Sequence, residues 1–144
     1  MTTSVQSLQQ ISSFFESYAR ALEGFDAKGM AYHYILPCIM MDDAGSVVFT
    51  EGSKLEGLFH QGVGFYRQYG IAHARPEVWS KRLWAEQIAK AKVNWRYYDA
   101  ENRFLYTCDY HYVLHMDRQK AWKIQVAVSV NEKERMEAWL KDRG

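Results

Sequence analysis

Tyr18-Ala-Arg-Ala-Leu-Glu-Gly-Phe-Asp26 is the stretch whose reading decides how this chain is built. Val5, Leu8, Ile11, Phe15, Tyr18 and Leu22 recur at alternating spacings of three and four, which lines them along one stripe of a helix. Thr3 with Gln6, or Ser7 with Gln10, offers a capping box at its start, and Gly24 supplies the residue that ends it. Asp26 is then a natural N-cap for a short second helix carrying Met30, Ala31 and Tyr34. Pro37 disfavours helical geometry at Leu36, so that helix is expected to stop there. A strand from Cys38 to Met41 follows, with a turn at Asp42-Asp-Ala-Gly-Ser and a return from Val47 to Thr50.

Downstream, Ser53 and Glu56 form a capping box ahead of Leu55, Leu58, Phe59, Gly62, Val63, Tyr66 and Tyr69, which keep helical spacing up to Gly70. Gly62 and Gly64 inside that helix each cost about 1 kcal/mol relative to Ala, which implies close packing or a weakened helix. A phosphate-binding loop would need them before the helix instead. From Arg75 the period changes to two. Val78 to Leu83 reads as one strand, and Ala89, Ala91, Val93, Trp95 and Tyr97 alternate with Lys90, Lys92, Asn94, Arg96 and Tyr98 in the next. Arg103 to Met116 and Trp122 to Val130 complete an antiparallel meander, and Asn131 with Glu134 caps a terminal helix carrying Met136, Trp139 and Leu140. The expectation is one α+β domain over residues 1–144: three helices on one side of a curved antiparallel sheet, a short C-terminal helix, and a pocket between sheet and early helices.

Composition narrows the function. A chain of 144 residues with 48% hydrophobic residues can bury a single core. Eighteen basic against seventeen acidic residues give a net charge of +1, so no broad field attracts nucleic acid or an anionic membrane. Lys90, Lys92 and Arg96 read as a solvated strand face or a dimer edge. The chain shows neither a leader-like start nor a membrane-length apolar run, and two cysteines suit free thiols in a reducing compartment. A cytoplasmic protein with a small-molecule partner or a second copy of itself is expected. Ten Tyr and five Trp, whose polar tips need partners, suit a pocket or an interface. No HExxH or CxxC pattern is present, so neither metal nor cofactor is expected, and no Ser or Cys has a base at motif distance.

The element order, joined to Tyr18-x-x-Ala-Leu-x-x-x-Asp26, resembles the cone-shaped fold of nuclear transport factor two, scytalone dehydratase, ketosteroid isomerase and the SnoaL-like cyclases. Similarity to the isomerase implies that Tyr18 hydrogen-bonds a developing oxyanion and that Asp42 shuttles the proton, the two roles being complementary. The competing reading puts Asp42 in a hairpin turn, bonded to nearby amides. The resemblance places a second donor on the Arg103 to Met116 strand. There Asp109 and His111 share one face, while Tyr106, Cys108, Tyr110 and Tyr112 share the other, and a slip of one residue exchanges them. The expected ligand-binding set is Phe15, Tyr34, Phe59, Tyr66, Trp95, Asp109, Tyr110 and His111. Isomerisation, dehydration or cyclisation is one outcome; a noncatalytic dimeric scaffold with a filled pocket is the other.

Overall fold

The computed structural model describes residues 4–143. Helix α1, Ser4–Glu23, turns Ile11, Phe15, Tyr18, Ala19 and Leu22 into the core. The Thr3 capping alternative lies outside the described residues. Ser7 is already inside α1, so its box does not form; its carbonyl instead accepts from the Trp122 indole N–H at 2.8 Å. Helix α2, Ala27–Tyr32, opens as expected, with the Asp26 carboxylate accepting from the Gly29 amide at 2.9 Å.

Strand β1, Tyr34–Asp42, begins four residues earlier than the sequence reading and takes Tyr34 out of the helix. Pro37 is tolerated there because the ladder between β1 and its neighbour is irregular between Tyr34 and Ile39, where a missing N–H costs nothing. The freed Pro37 carbonyl accepts from Gln125 at 2.8 Å. Strand β2, Gly45–Phe49, closes a hairpin in which Asp42 pairs with Gly45. Helix α3, Gly52–Tyr69, starts one residue before Ser53, so the Ser53–Glu56 box does not form. It ends at Gly70, whose φ of 73° is the left-handed geometry that glycine adopts without strain.

Strands β3, His73–Ala85, β4, Ile88–Tyr98, β5, Phe104–Met116, and β6, Trp122–Ser129, lead to helix α4, Glu132–Arg143. The sheet order is β2-β1-β6-β5-β4-β3. All neighbours pair antiparallel except β1 with β6, which run parallel, so the sheet is not the purely antiparallel one the meander suggested. Alternation along β4 points Ala89, Ala91, Val93, Trp95 and Tyr97 inward, and β5 answers with Tyr106, Cys108, Tyr112 and Leu114. Small alanines at 74, 89 and 91 let α1 lie close on β3, and Phe15 fills the contact against Tyr112 and Trp95.

Candidate functional site

Toward the other end of the cone the inward side chains change from aliphatic to phenolic, and the layers part around a cavity of about 800 Å³. Helix α1 contributes Tyr18 and Leu22, β1 Tyr34 and Met40, α3 Phe59 and Tyr66, and the meander Trp95, Tyr97, Tyr106, Tyr110 and Tyr112. Its mouth lies between the exposed β1–β2 hairpin, with Asp42, Ala44 and Val47, and Leu58, Gln61 and Gly62 of α3. A β-carbon on Gly62 or Gly64 would meet nothing within 4 Å, so these glycines are not there for close packing.

Two buried hydrogen bonds organise the wall. The Tyr18 and Tyr34 hydroxyls lie 2.9 Å apart, and the Trp95 indole N–H donates to the Tyr112 hydroxyl at 2.8 Å. Burial pushes the Tyr18 phenol up, and its bond to Tyr34 opposes only part of that rise, so it is a neutral donor. The Tyr66 and Tyr106 hydroxyls have no hydrogen-bond partner among the described residues, and neither is sealed from the void. Tyr110 stacks on Tyr112 with ring centroids 5.3 Å apart and planes 10° from parallel.

One acid enters this space that the sequence reading had not singled out. Asn131 clamps the start of α4 to β5: the Asp109 amide donates to Asn131 Oδ1 at 2.8 Å, and Asn131 Nδ2 donates to Asp109 Oδ2 at 2.9 Å. The Glu132 amide donates to Ser129 Oγ at 3.3 Å. So anchored, Glu132 projects into the cavity wall, with Oε2 3.6 Å from Cys108 Sγ and the Tyr110 hydroxyl beside it. Burial pushes its carboxyl up, against the lowering effect of Tyr110 and Cys108. Burial also pushes the Cys108 thiol up, and Glu132 adds to the rise. An acid in the first turn of a helix reads as a dipole partner in sequence, which is why its inward aim went unnoticed.

The expected site residues divide four ways. Tyr18, Tyr34, Phe59, Tyr66, Trp95 and Tyr110 share the cavity. Asp42 stands at the mouth, exposed, its Oδ1 accepting from the amides of Ala44 at 2.8 Å and Gly45 at 3.2 Å, the bonds of the hairpin-turn reading. Phe15 lies outside the lining, fully buried in the core behind Tyr112. Asp109 and His111 must also leave the ligand set: the register pairs Asn94 with Asp109 and Lys92 with His111 on the outer face, because the tyrosines bury more apolar surface inside. Asp109 borders a smaller outer hollow of about 430 Å³ with Trp79, Asn94 and Arg96. His111 Nδ1 is sealed without a partner among the described residues, and burial together with Lys90 and Lys92 lowers its basicity. Among the described residues no three His, Cys, Asp or Glu side chains converge, and no helix is long and apolar enough to cross a membrane.

The family model of NTF2-like proteins designated DUF6841 matches residues 9–132. The chain belongs to this family. No curated protein matches its sequence. Among solved structures, this NTF2-like chain is similar to a cystatin-like-fold domain of unknown function from Nostoc punctiforme, with TM-score 0.70 and 16% identity over 97% of this chain and 86% of that one. It is also similar to Aln2 from Streptomyces, with TM-score 0.69 and 14% identity over 99% of both chains. A ketosteroid isomerase-like protein from Erwinia carotovora atroseptica aligns with TM-score 0.64 and 11% identity over 87% of this chain and 95% of that one. At these identities the likeness establishes the cone fold and leaves the chemistry to the residues of each cavity.

Proposed function

We propose that this NTF2-like protein binds a small, largely apolar molecule with a few polar functions in the cavity. The observation that carries the reading is the hollow itself: about 800 Å³, within the roughly 300–1,000 Å³ of small-molecule sites, with unpartnered Tyr66 and Tyr106 hydroxyls in an aromatic wall. A filled scaffold would have closed that space with side chains. A thermal-shift panel of apolar ketones, phenols and carboxylates tests it, since a ligand selective for the folded form raises the melting temperature. A flat response across the panel sinks the proposal.

Turnover of the bound molecule is proposed as proton abstraction and return, in keeping with the isomerase-like relative. Tyr18, polarised through Tyr34, is the donor to a developing oxyanion, and Asp42 at the mouth is the base. Asp42→Asn is expected to abolish turnover while leaving ligand-induced stabilisation intact; unchanged turnover removes Asp42 from this role. The protein is further proposed to be a cytoplasmic homodimer. Exposed Met41, Val48, Trp79 and Phe104, with Val128 beside Met41, make the convex sheet face apolar enough to seek cover, and both cysteines are free and buried. Light scattering behind gel filtration checks the dimer, and a monomer at micromolar concentration would refute it.

A further inference from the structure

We propose that the molecule received by the cavity is an amine, its ammonium group paired with the Glu132 carboxylate. This rests on the reading of the cavity as a small-molecule site and adds the charge of its occupant.

The argument starts from an imbalance. Along the lining the acids are Glu132 in the wall and Asp42 at the mouth, and the one basic residue is Lys133, which is exposed. Glu132 forms no salt bridge among the described residues; its close neighbours are a thiol and phenols. Burial holds this carboxyl toward its neutral form, with only a thiol and a phenol to hydrogen-bond it, so its charged form in this wall lacks a counter-ion. An ammonium group supplies it.

The surroundings point the same way. Trp95 and the tyrosines around it present ring systems that attract cations through their quadrupoles. The unpartnered Tyr66 and Tyr106 oxygens can accept the remaining N–H groups. The first-turn position of Glu132 on α4 favours its anionic form once a cation neutralises the pair. An anionic ligand would meet Glu132 with no arginine or buried lysine to offset the repulsion, and a neutral one would leave its charged form without a counter-ion.

Calorimetric titration of the intact protein with phenethylamine, phenethyl alcohol and phenylacetate tests the charge apart from the cavity. Near pH 8 the amine is expected to bind roughly tenfold to a hundredfold tighter than the alcohol, the scale of a charge-assisted hydrogen bond, with phenylacetate weakest. Glu132→Gln should abolish the amine's advantage over the alcohol. An alcohol that matches the amine, or an amine preference that survives Glu132→Gln, overturns the proposal while the cavity reading stands. Failure of all three probes to bind overturns both. Should the variant not fold, the wild-type pH profile decides. Burial raises Glu132, so amine affinity falls as pH drops through its titration, whereas the alcohol's does not. The other groups facing Glu132 are Cys108, Tyr97, Tyr106, Tyr110 and Tyr112 from the sheet, Tyr66 from α3 and Tyr18 from α1; all are raised by burial and stay protonated there. A flat amine profile overturns the pairing.

Discussion

Asn131→Ala tests how the candidate site is held. The Asn131 side chain accepts from the Asp109 amide at 2.8 Å and donates to the Asp109 carboxylate at 2.9 Å, so the substitution removes one neutral and one charge-assisted hydrogen bond. Such bonds contribute about 0.5–1.5 and 1.5–3 kcal/mol, and because the pair is only part-buried the lower ends apply, giving a loss of about 2 kcal/mol. For a domain of this size that is roughly 6 °C in melting temperature, or a clear drop in urea midpoint at unchanged m-value. The pH dependence gives a second handle. Partial burial pushes the Asp109 carboxyl up, but bonds from Asn94 and Asn131 and the charges of Arg135 and Lys92 outweigh it and hold the group below the usual aspartate range. A depressed carboxyl contributes stability above its unfolded pKa, and that contribution is lost as pH falls through the folded value. The gap between wild type and variant should therefore be full at neutral pH and shrink below about pH 4. Equal midpoints at neutral pH, or a gap indifferent to acid, would refute the clamp.

Three further outcomes follow from the same geometry. Tyr112→Phe strands the Trp95 indole N–H in a buried wall and should cost about 1–3 kcal/mol by urea denaturation, more than Tyr98→Phe on the outer face. Gly64→Ala, where the added methyl meets nothing within 4 Å, should raise stability by up to about 1 kcal/mol; no rise in urea midpoint would mean the position is not helical in solution. Cys38 and Cys108, buried and with thiols pushed up by burial, should resist a thiol reagent near pH 8 until the chain is unfolded, and fast native labelling would contradict the packing.

The fold was largely legible because its signals are local and redundant. The Ile11, Phe15, Tyr18, Leu22 stripe, the Asp26 cap and the alternation along β4 each act within a few residues, and each appears where the sequence put it. The miss at Tyr34 has a clear cause, which is a long-range contact overriding a local preference. Tyr34 leaves its helix to pair with Ile124, and the parallel β1–β6 contact joins segments about ninety residues apart in sequence. The site was legible on one face and illegible on the other. Tyr110 and Asp109 are adjacent in β5, and only the register with β4 says which looks inward. Glu132 was hidden for a different reason. Its inward aim depends on the angle at which α4 leaves the sheet, set by the Asn131 clamp to a strand 22 residues earlier in sequence.

A hollow of this size also constrains what the chain can do with it. A cavity with a mouth open to solvent holds water whenever it holds no ligand, and ordered water in it needs polar partners. The Tyr66 and Tyr106 hydroxyls, Ser129 and Glu132 provide them within a wall otherwise made of rings. The polar groups that keep the space open between occupants are thus the ones a ligand must satisfy when it displaces the water. An apolar molecule that left Glu132 unpaired would forfeit part of what it gained from burial. On the proposed reading of the cavity, that requirement makes the acid in the wall, more than the carboxylate at the mouth, the residue on which recognition would turn.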